Sequence, residues 1–193
     1  MPTQDERSAA SRQALVEATL TLLDEVGYGR LAVAEICRLA GRSVGTHLHH
    51  FGTKAALVAA AVDELAARRI ADARADLARQ PRRGTAAALD VVWQFYAGPT
   101  FVAALELWVE ARTNPDLRAH LLVVEERIDR EGVALAATIA PELASPGGLV
   151  AGRYVAATMR GLAMRRLLWP DADIDAEWRA TRPFLLASLE GAR

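Results

Sequence analysis

The chain has 193 residues, 52% of them hydrophobic, and its 23 Lys and Arg against 24 Asp and Glu give a formal net charge of -1. This balance excludes indiscriminate coating of nucleic acid, because any affinity for phosphate must come from a local patch. One cysteine, Cys37, precludes an intramolecular disulfide and suits a reducing compartment. No stretch approaches the roughly 20 apolar residues of a membrane span. We therefore expect a cytoplasmic protein without a membrane partner.

The first periodic segment predicts a long amphipathic helix. Its apolar positions recur at spacings of three and four: Leu15, Ala18, Thr19, Leu22, Leu23 and Val26. This spacing places them on one helical face, and Gly27-Tyr28-Gly29 then ends the segment. The sequence predicts a scaffold helix that supports whatever follows.

Two short helices are predicted next, separated by a tight turn. Val33, Ile36, Cys37 and Ala40 give the first an apolar face. Gly41 suits the left-handed conformation that caps such a helix, and Ser43 can accept an N–H at the start of the second. Helices joined by so short a turn cross steeply. This pattern is typical of a helix-turn-helix whose second helix, residues 44–50, is free to enter a major groove.

The charge of this segment favours phosphate. No acidic residue lies between Glu35 and Asp63. The groups that can face DNA there are Arg38, Arg42, Lys54 and the histidines at 47, 49 and 50. The three histidines could instead form a metal site, but positions i, i+2 and i+3 of a short helix do not converge on one ion. We expect neither a metal nor another cofactor.

The remainder of the chain is predicted to be helical. Thr53 can cap a helix that begins at Lys54, and strand-like alternation is absent beyond it. Proline and glycine punctuation predicts helices at about 54–79, 85–96, 100–113, 115–139, 147–168 and 173–190. The fold class is therefore all-α.

These residues carry a family resemblance. Residues 11–57 resemble the N-terminal DNA-binding domain of the tetracycline-repressor (TetR) family. The matching positions are Arg12, Gly27-Tyr28, Ile36, Ala40-Gly41, Ser43, Gly45-Thr46, His50-Phe51 and Lys54. The resemblance implies a three-helix helix-turn-helix domain at 1–57, joined to a larger helical domain at 58–193 that binds an effector and dimerises. It also implies a double-stranded DNA operator as partner.

The resemblance also implies roles for individual residues. In the family, the helix holding Val44, Gly45, Thr46 and His47 contacts base edges, and Lys54 contacts phosphate. The DNA-contacting set predicted here is Arg42, Ser43, Val44, Gly45, Thr46, His47, His49, His50 and Lys54.

Three positions depart from the family pattern. Leu48 stands where a phosphate-contacting tyrosine is usual, and Leu31 and Ala32 stand where hydroxyl residues are usual. His47 and His49, with Arg42 in the turn, are plausible replacements. Affinity for DNA should then depend on pH near the histidine pKa, between roughly pH 6 and 8.

The last two predicted helices are candidates for self-association. Their apolar stripes are Val155, Met159, Leu162, Ala163 and Leu167 on one, and Ile174, Trp178, Thr181, Leu185 and Leu189 on the other. Periodicity alone leaves open whether these stripes pack on their own core. The family resemblance implies a homodimer through these two helices, which would place two recognition helices about 34–36 Å apart on a palindrome.

An aromatic cluster in the middle of the chain predicts an effector pocket. Its candidate lining is Trp93, Tyr96, Phe101, Leu105, Trp108 and Met159. Such residues can equally be ordinary core. Under the pocket hypothesis, these residues bind a small apolar or aromatic molecule, and its binding releases a repressor from its operator. The alternatives are a constitutive dimer without an effector, and an α-helical enzyme that uses Glu106, Glu110 or His120 as acid or base. Catalytic motifs are missing, so we expect no enzyme.

Overall fold

The computed structural model describes residues 3–79, 81–169 and 171–191, and these residues contain helices and turns but no strand. The helices are α1 Gln4–Arg30, α2 Val33–Ala40, α3 Val44–His50, α4 Lys54–Arg79, α5 Thr85–Ala97, α6 Pro99–Ala111, α7 Pro115–Ile139, α8 Pro146–Met164 and α9 Ile174–Glu190, with 3-10 turns at Pro141–Ala144 and Arg165–Leu167. The prediction of an all-α fold is confirmed. From α2 to α9 the helix bounds agree with the sequence prediction to within a few residues.

The helices form two compact units. Unit 1 consists of Met1–Ala67 and Ala103–Arg127, and unit 2 of Arg68–Val102 and Ile128–Arg193. Unit 1 therefore contains α1, α2 and α3 together with parts of α4, α6 and α7. The predicted domain boundary after residue 57 stays a prediction.

Helix α1 begins earlier than the sequence prediction. Thr3 and Glu6 form a capping box, in which the Thr3 hydroxyl accepts the Glu6 N–H and the Glu6 carboxylate accepts the Thr3 N–H. The apolar face is buried as expected, with Leu15 fully covered. Near its end the helix is interrupted at Gly27, whose φ of +69° is available to glycine at little cost. One further helical turn then leads to Arg30.

Unit 2 contains a tryptophan pair between α5 and α9. The Trp93 and Trp178 rings are stacked with centroids 4.7 Å apart and planes 6° apart, and both side chains are buried. Arg182 of α9 also donates two hydrogen bonds to the Asp90 carboxylate of α5, at 2.6 and 2.7 Å. Apolar burial and a paired charge thus hold the same two helices together.

The apolar stripes of α8 and α9 are largely buried within the single chain. Buried members are Val155, Met159, Ala163, Ile174, Trp178, Leu185 and Leu189. For these residues the alternative left open by periodicity, packing on their own core, describes the structure. Other apolar side chains of these two helices, namely Val150, Tyr154 and Phe184, are exposed. Among the described residues, no helix is long and apolar enough to span a membrane.

Candidate DNA-binding surface

The turn between α2 and α3 depends on Gly41. Its φ of +62° and ψ of +37° are left-handed, and its N–H donates to the Arg38 carbonyl at 3.2 Å. The next N–H, of Arg42, donates to the Cys37 carbonyl at 2.9 Å. This pair of bonds is a Schellman motif, which satisfies carbonyls that a helix end leaves open. It stops α2 sharply and turns the chain toward α3.

Ser43 then starts α3. Its Oγ accepts the Thr46 N–H at 3.1 Å and lies 3.0 Å from the Thr46 Oγ1. The N-cap is the one that the sequence predicts. Because the two hydroxyls bond each other, the Thr46 side chain is held against its own helix.

The predicted DNA-contacting residues differ in their exposure. The exposed ones are Arg42, Ser43, Val44, Gly45 and His49, and the half-buried ones are Thr46, His50 and Lys54. His47 is buried. Leu48, at the position where the family usually has a tyrosine, has 57% of its surface exposed. The outward face of α3 therefore consists of residues 44, 45, 48 and 49.

His47 points into unit 1. Only 2% of its surface is exposed, and its Nδ1 is buried without a hydrogen-bond partner among the described residues. Its ring stacks near Phe51, with centroids 6.3 Å apart. Burial lowers the pKa of His47, so the neutral imidazole is favoured. In this arrangement the ring packs on the buried side of α3, and it does not present a cation to phosphate.

Lys54 also turns inward. Its Nζ donates to the carbonyls of Tyr28 and Leu31, both at 3.1 Å, and lies 4.0 Å from the centre of the Tyr28 ring. Burial lowers the pKa of Lys54, while the negative charge of Glu110 opposes that shift. An ammonium has three N–H donors, so one remains beyond these two bonds. The side chain predicted to contact phosphate thus joins the start of α4 to the end of α1.

Lys54 is the only lysine in the sequence, and the other Lys and Arg positions are all arginine. A compact ammonium can approach two carbonyls and an aromatic face at once, which a planar guanidinium cannot do in the same space. The choice of lysine here therefore fits the geometry at the end of α1.

Arg12 is a cation of this region that the predicted set omits. It is exposed on α1, and its guanidinium carbon lies 5.4 Å from the centre of the Phe51 ring, just beyond the last residue of α3. Burial, together with the charges of His49 and Arg12, lowers the pKa of His50. The signal that could have identified Arg12 was its place among the residues matching the family. Arg38, by contrast, is paired with Glu35 at 2.5 Å.

Residues 15–61 match the family described as bacterial regulatory proteins, tetR family. The transcriptional regulator CymR of Pseudomonas putida is 30% identical over 175 residues, which cover 89% of this chain and 86% of CymR. The chain belongs to the TetR family. It is a transcriptional regulator with a DNA-binding helix-turn-helix.

Two further proteins are similar to this chain, one in sequence and one in fold. An uncharacterized HTH-type transcriptional regulator of Mycobacterium tuberculosis is 34% identical over 121 residues, or 62% of each chain, so the match spans less than two thirds of that relative. The crystal structure of multidrug binding protein EbrR with imidazole has the same fold, with a TM-score of 0.64 and 22% identity over 92% of this chain and 93% of EbrR. Both sequence relatives are named as regulators, as expected for a chain that is not an enzyme.

In this TetR-family chain, the predicted effector residues fall in both units. Trp93, Tyr96, Phe101 and Met159 belong to unit 2, where all but Tyr96 are buried and Tyr96 meets Phe101 edge-to-face at 5.1 Å. Leu105 and Trp108 belong to unit 1. The Trp108 indole N–H donates to Glu125 at 2.8 Å, so its polar atom is already engaged.

Unit 2 has an open depression of about 330 Å³ between α4 and α5. It is lined by Arg69, Asp72, Ala73, Asp76, Leu77, Arg82, Val91, Gln94 and Phe95. None of the six predicted effector residues is in this lining. Among the described residues, no group of three His, Cys, Asp or Glu side chains is arranged to hold a metal ion.

Proposed function

We propose that this regulator is a homodimeric repressor that binds a palindromic operator and is released by a small apolar or aromatic effector. The observation that carries the DNA-binding part is the exposed face of α3. Val44, Gly45, Leu48 and His49 lie outward on it, in a segment without any acidic residue between Glu35 and Asp63. A protruding helix of this kind fits a major groove.

The flanks of α3 supply cations for the phosphates. Arg42 is exposed in the turn before the helix, and Arg12 is exposed near its end. Arginine binds phosphate through its planar fork of N–H donors. These contacts would fix the orientation of α3 on the duplex, while its outward side chains supply the sequence preference.

Dimerisation through the last two helices is supported by exposed apolar side chains. Phe184 of α9 has 75% of its surface exposed, and Val150, Tyr154, Leu168 and Trp169 are also exposed on α8 or just after it. Aromatic groups this open to water are frequent at interfaces between proteins. They differ from the stripes that the sequence suggested, whose members are mostly buried apart from the exposed Leu167.

An effector site is supported by two observations. EbrR, which shares this fold, is a multidrug binding protein whose crystal contains imidazole. In unit 2, the buried Trp93 indole N–H has no hydrogen-bond partner among the described residues, so a ligand acceptor could satisfy it. Four of the six predicted residues, namely Trp93, Tyr96, Phe101 and Met159, would contribute to such a site.

The mechanism that joins these parts is linkage between two binding equilibria. Suppose that an effector binds more tightly to a dimer form whose recognition helices are wrongly spaced for DNA. It then weakens DNA binding by a factor equal to the ratio of its affinities for the two dimer forms. A coupling of about 1–3 kcal/mol, or roughly 5–150-fold, is enough for a switch.

DNA binding is tested by selecting bound duplexes from a random double-stranded pool with the full chain, then following the affinity of the enriched duplex against salt. We expect a palindromic site and a logarithmic salt slope of about -0.9 for each phosphate neutralised. No enrichment at low salt from folded protein would exclude the proposal.

The dimer is tested by sedimentation of Phe184→Asp beside the parent chain. The variant should sediment as a monomer at micromolar concentration. Val123→Asp, which changes a largely exposed valine of α7, is the matched control and should remain dimeric. A monomeric parent chain would refute dimerisation through these helices.

A further inference from the structure

Two exposed aliphatic side chains dominate the outward face of α3. Val44 has 47% and Leu48 57% of its surface exposed. They are four residues apart, so they lie one above the other on the same side of the helix. His49 is the exposed polar neighbour on this face, and Gly45 adds no side chain.

Two other side chains of α3, those of Thr46 and His47, are poorly placed to contact bases. His47 is buried, and the Thr46 hydroxyl lies 3.0 Å from the Ser43 Oγ. The helix has no Arg, Lys, Asn or Gln, the residues that make paired hydrogen bonds to guanine or adenine in the major groove. Most of the contact area that α3 can offer is therefore apolar.

The surroundings of this apolar patch identify its occupant. Arg42 is exposed next to it in the sequence, Arg12 lies near the far end of the helix, and acidic residues are absent from 36 to 62. An apolar patch bordered by unopposed cations suits a polyanion that carries apolar groups. In the major groove of DNA, the apolar group on a base edge is the thymine 5-methyl.

We propose that Val44 and Leu48 contact thymine methyl groups, so that the operator half-site is specified by thymines at fixed positions rather than by paired hydrogen bonds. This inference rests on the proposed binding of duplex DNA. Of the two, Leu48 is the more exposed side chain and offers the larger apolar surface.

The size of the effect follows from methyl burial. Covering one methyl-sized group contributes about 0.8 kcal/mol, which corresponds to roughly a fourfold change in affinity. A palindrome contains each position twice. Removing one symmetric pair of methyls should therefore weaken a dimer on the order of tenfold, provided that both half-sites make the contact.

The test uses the duplex enriched from the random pool, resynthesised with deoxyuridine in place of single symmetric pairs of thymidine. Uracil keeps the base-pair hydrogen bonds and lacks only the methyl. We expect at least one pair of positions at which uracil weakens binding on the order of tenfold, while uracil outside the half-sites has no effect.

Leu48→Ala then assigns the contact. It should abolish the thymine preference at one pair of positions and leave the others, with unchanged helicity by circular dichroism. Leu122→Ala is the matched control, because Leu122 of α7 is 56% exposed and lies outside the helix-turn-helix. It should keep every thymine preference.

The outcomes separate the two proposals. Equal affinity for thymine and uracil duplexes at every position would overturn the methyl contacts and leave DNA binding intact. A thymine preference that Leu48→Ala and Val44→Ala both leave unchanged would likewise overturn the assignment. Failure to bind any duplex would overturn both the proposed function and this inference.

Discussion

The ammonium of Lys54 lies 4.0 Å from the centre of the Tyr28 ring and donates a hydrogen bond to the Tyr28 carbonyl at 3.1 Å. A second bond reaches the Leu31 carbonyl. Both acceptors lie at the end of α1, where a helix leaves carbonyls without partners. One side chain at the first position of α4 thus closes the end of the scaffold helix, and the Tyr28 hydroxyl accepts a further bond from Asn114 at 3.3 Å.

Lys54→Met should lower the free energy of unfolding by about 1–2 kcal/mol, because two carbonyls lose a charged donor while the aliphatic stem is kept. Lys54→Arg should recover only part of this loss, since the guanidinium does not fit the same position. Urea denaturation followed by circular dichroism measures both.

Arg42→Met provides the control for Lys54. Arg42 is exposed in the turn, and its guanidinium bonds only its neighbouring Gly41 carbonyl, at 3.3 Å, among the contacts described. This variant should keep the parent's stability and lose DNA affinity. If Lys54→Met instead kept full stability and lost only DNA affinity, the lysine would act on phosphate and its inward contacts would contribute nothing to folding.

Acid should destabilise the protein through His47. Burial lowers the pKa of this imidazole below its ordinary value of 6.5 in the folded chain, so the unfolded chain binds more protons below that pH. The free energy of unfolding therefore falls as the pH drops through 6.5 toward the folded pKa. His47→Met removes the titrating group and fills a similar volume. The variant should lose less stability than the parent between pH 7 and 5.

His120→Met is the matched control for that measurement. His120 is on α7, where it is partly exposed and its Nε2 lies 3.5 Å from the Asp116 carboxylate. Its removal should leave the acid loss of stability in place. Parallel pH profiles for His47→Met and the parent would contradict the burial argument.

The helices could be predicted from sequence because their signals are local. Gly41 and Ser43 carry the conformational preferences that end α2 and begin α3, and each adopts the predicted role. The orientation of side chains on α3 was harder. A helix of seven residues offers too few apolar positions to fix its buried face, so His47 and Leu48 could not be assigned inward and outward.

Long-range partners were beyond the sequence for a different reason. The inward turn of Lys54 depends on carbonyls 23 and 26 residues away, and no periodicity encodes such a contact. The stripes of α8 and α9 were visible, but a stripe alone does not distinguish a core from an interface. Phe184 of α9, which the predicted stripe does not include, has 75% of its surface exposed.

The Arg182 and Asp90 pair should contribute measurable coupling between α9 and α5. Asp90 raises the pKa of Arg182 through their hydrogen bonds, and Arg182 also donates to the Ala86 carbonyl at 3.2 Å. Because both side chains are partly exposed, we expect a coupling free energy of only about 1 kcal/mol. A double-mutant cycle with Arg182→Met and Asp90→Asn measures it. Additive effects would mean that the pair contributes nothing beyond its separate contacts.

Gly148 should be intolerant of any side chain. A Cβ built at this buried position of α8 would lie 2.7 Å from the Glu142 carbonyl oxygen and 2.8 Å from the Leu143 Cα, both backbone atoms of the preceding 3-10 turn. Alanine normally stabilises a helix by about 1 kcal/mol relative to glycine. Here overpacking, which costs about 1–3 kcal/mol, should exceed that gain, because the backbone cannot move aside as a flexible side chain would.

Thermal unfolding of Gly148→Ala beside Gly132→Ala tests this reasoning. Gly132 of α7 has no atom within 4 Å of a built Cβ, so its variant should gain about 0.5–1 kcal/mol from helix propensity alone. Opposite signs for the two variants are the expected result. Equal stabilisation of both would mean that the 3-10 turn at Pro141–Ala144 shifts freely away from α8, and the close approach at Gly148 would have no role in holding the start of that helix.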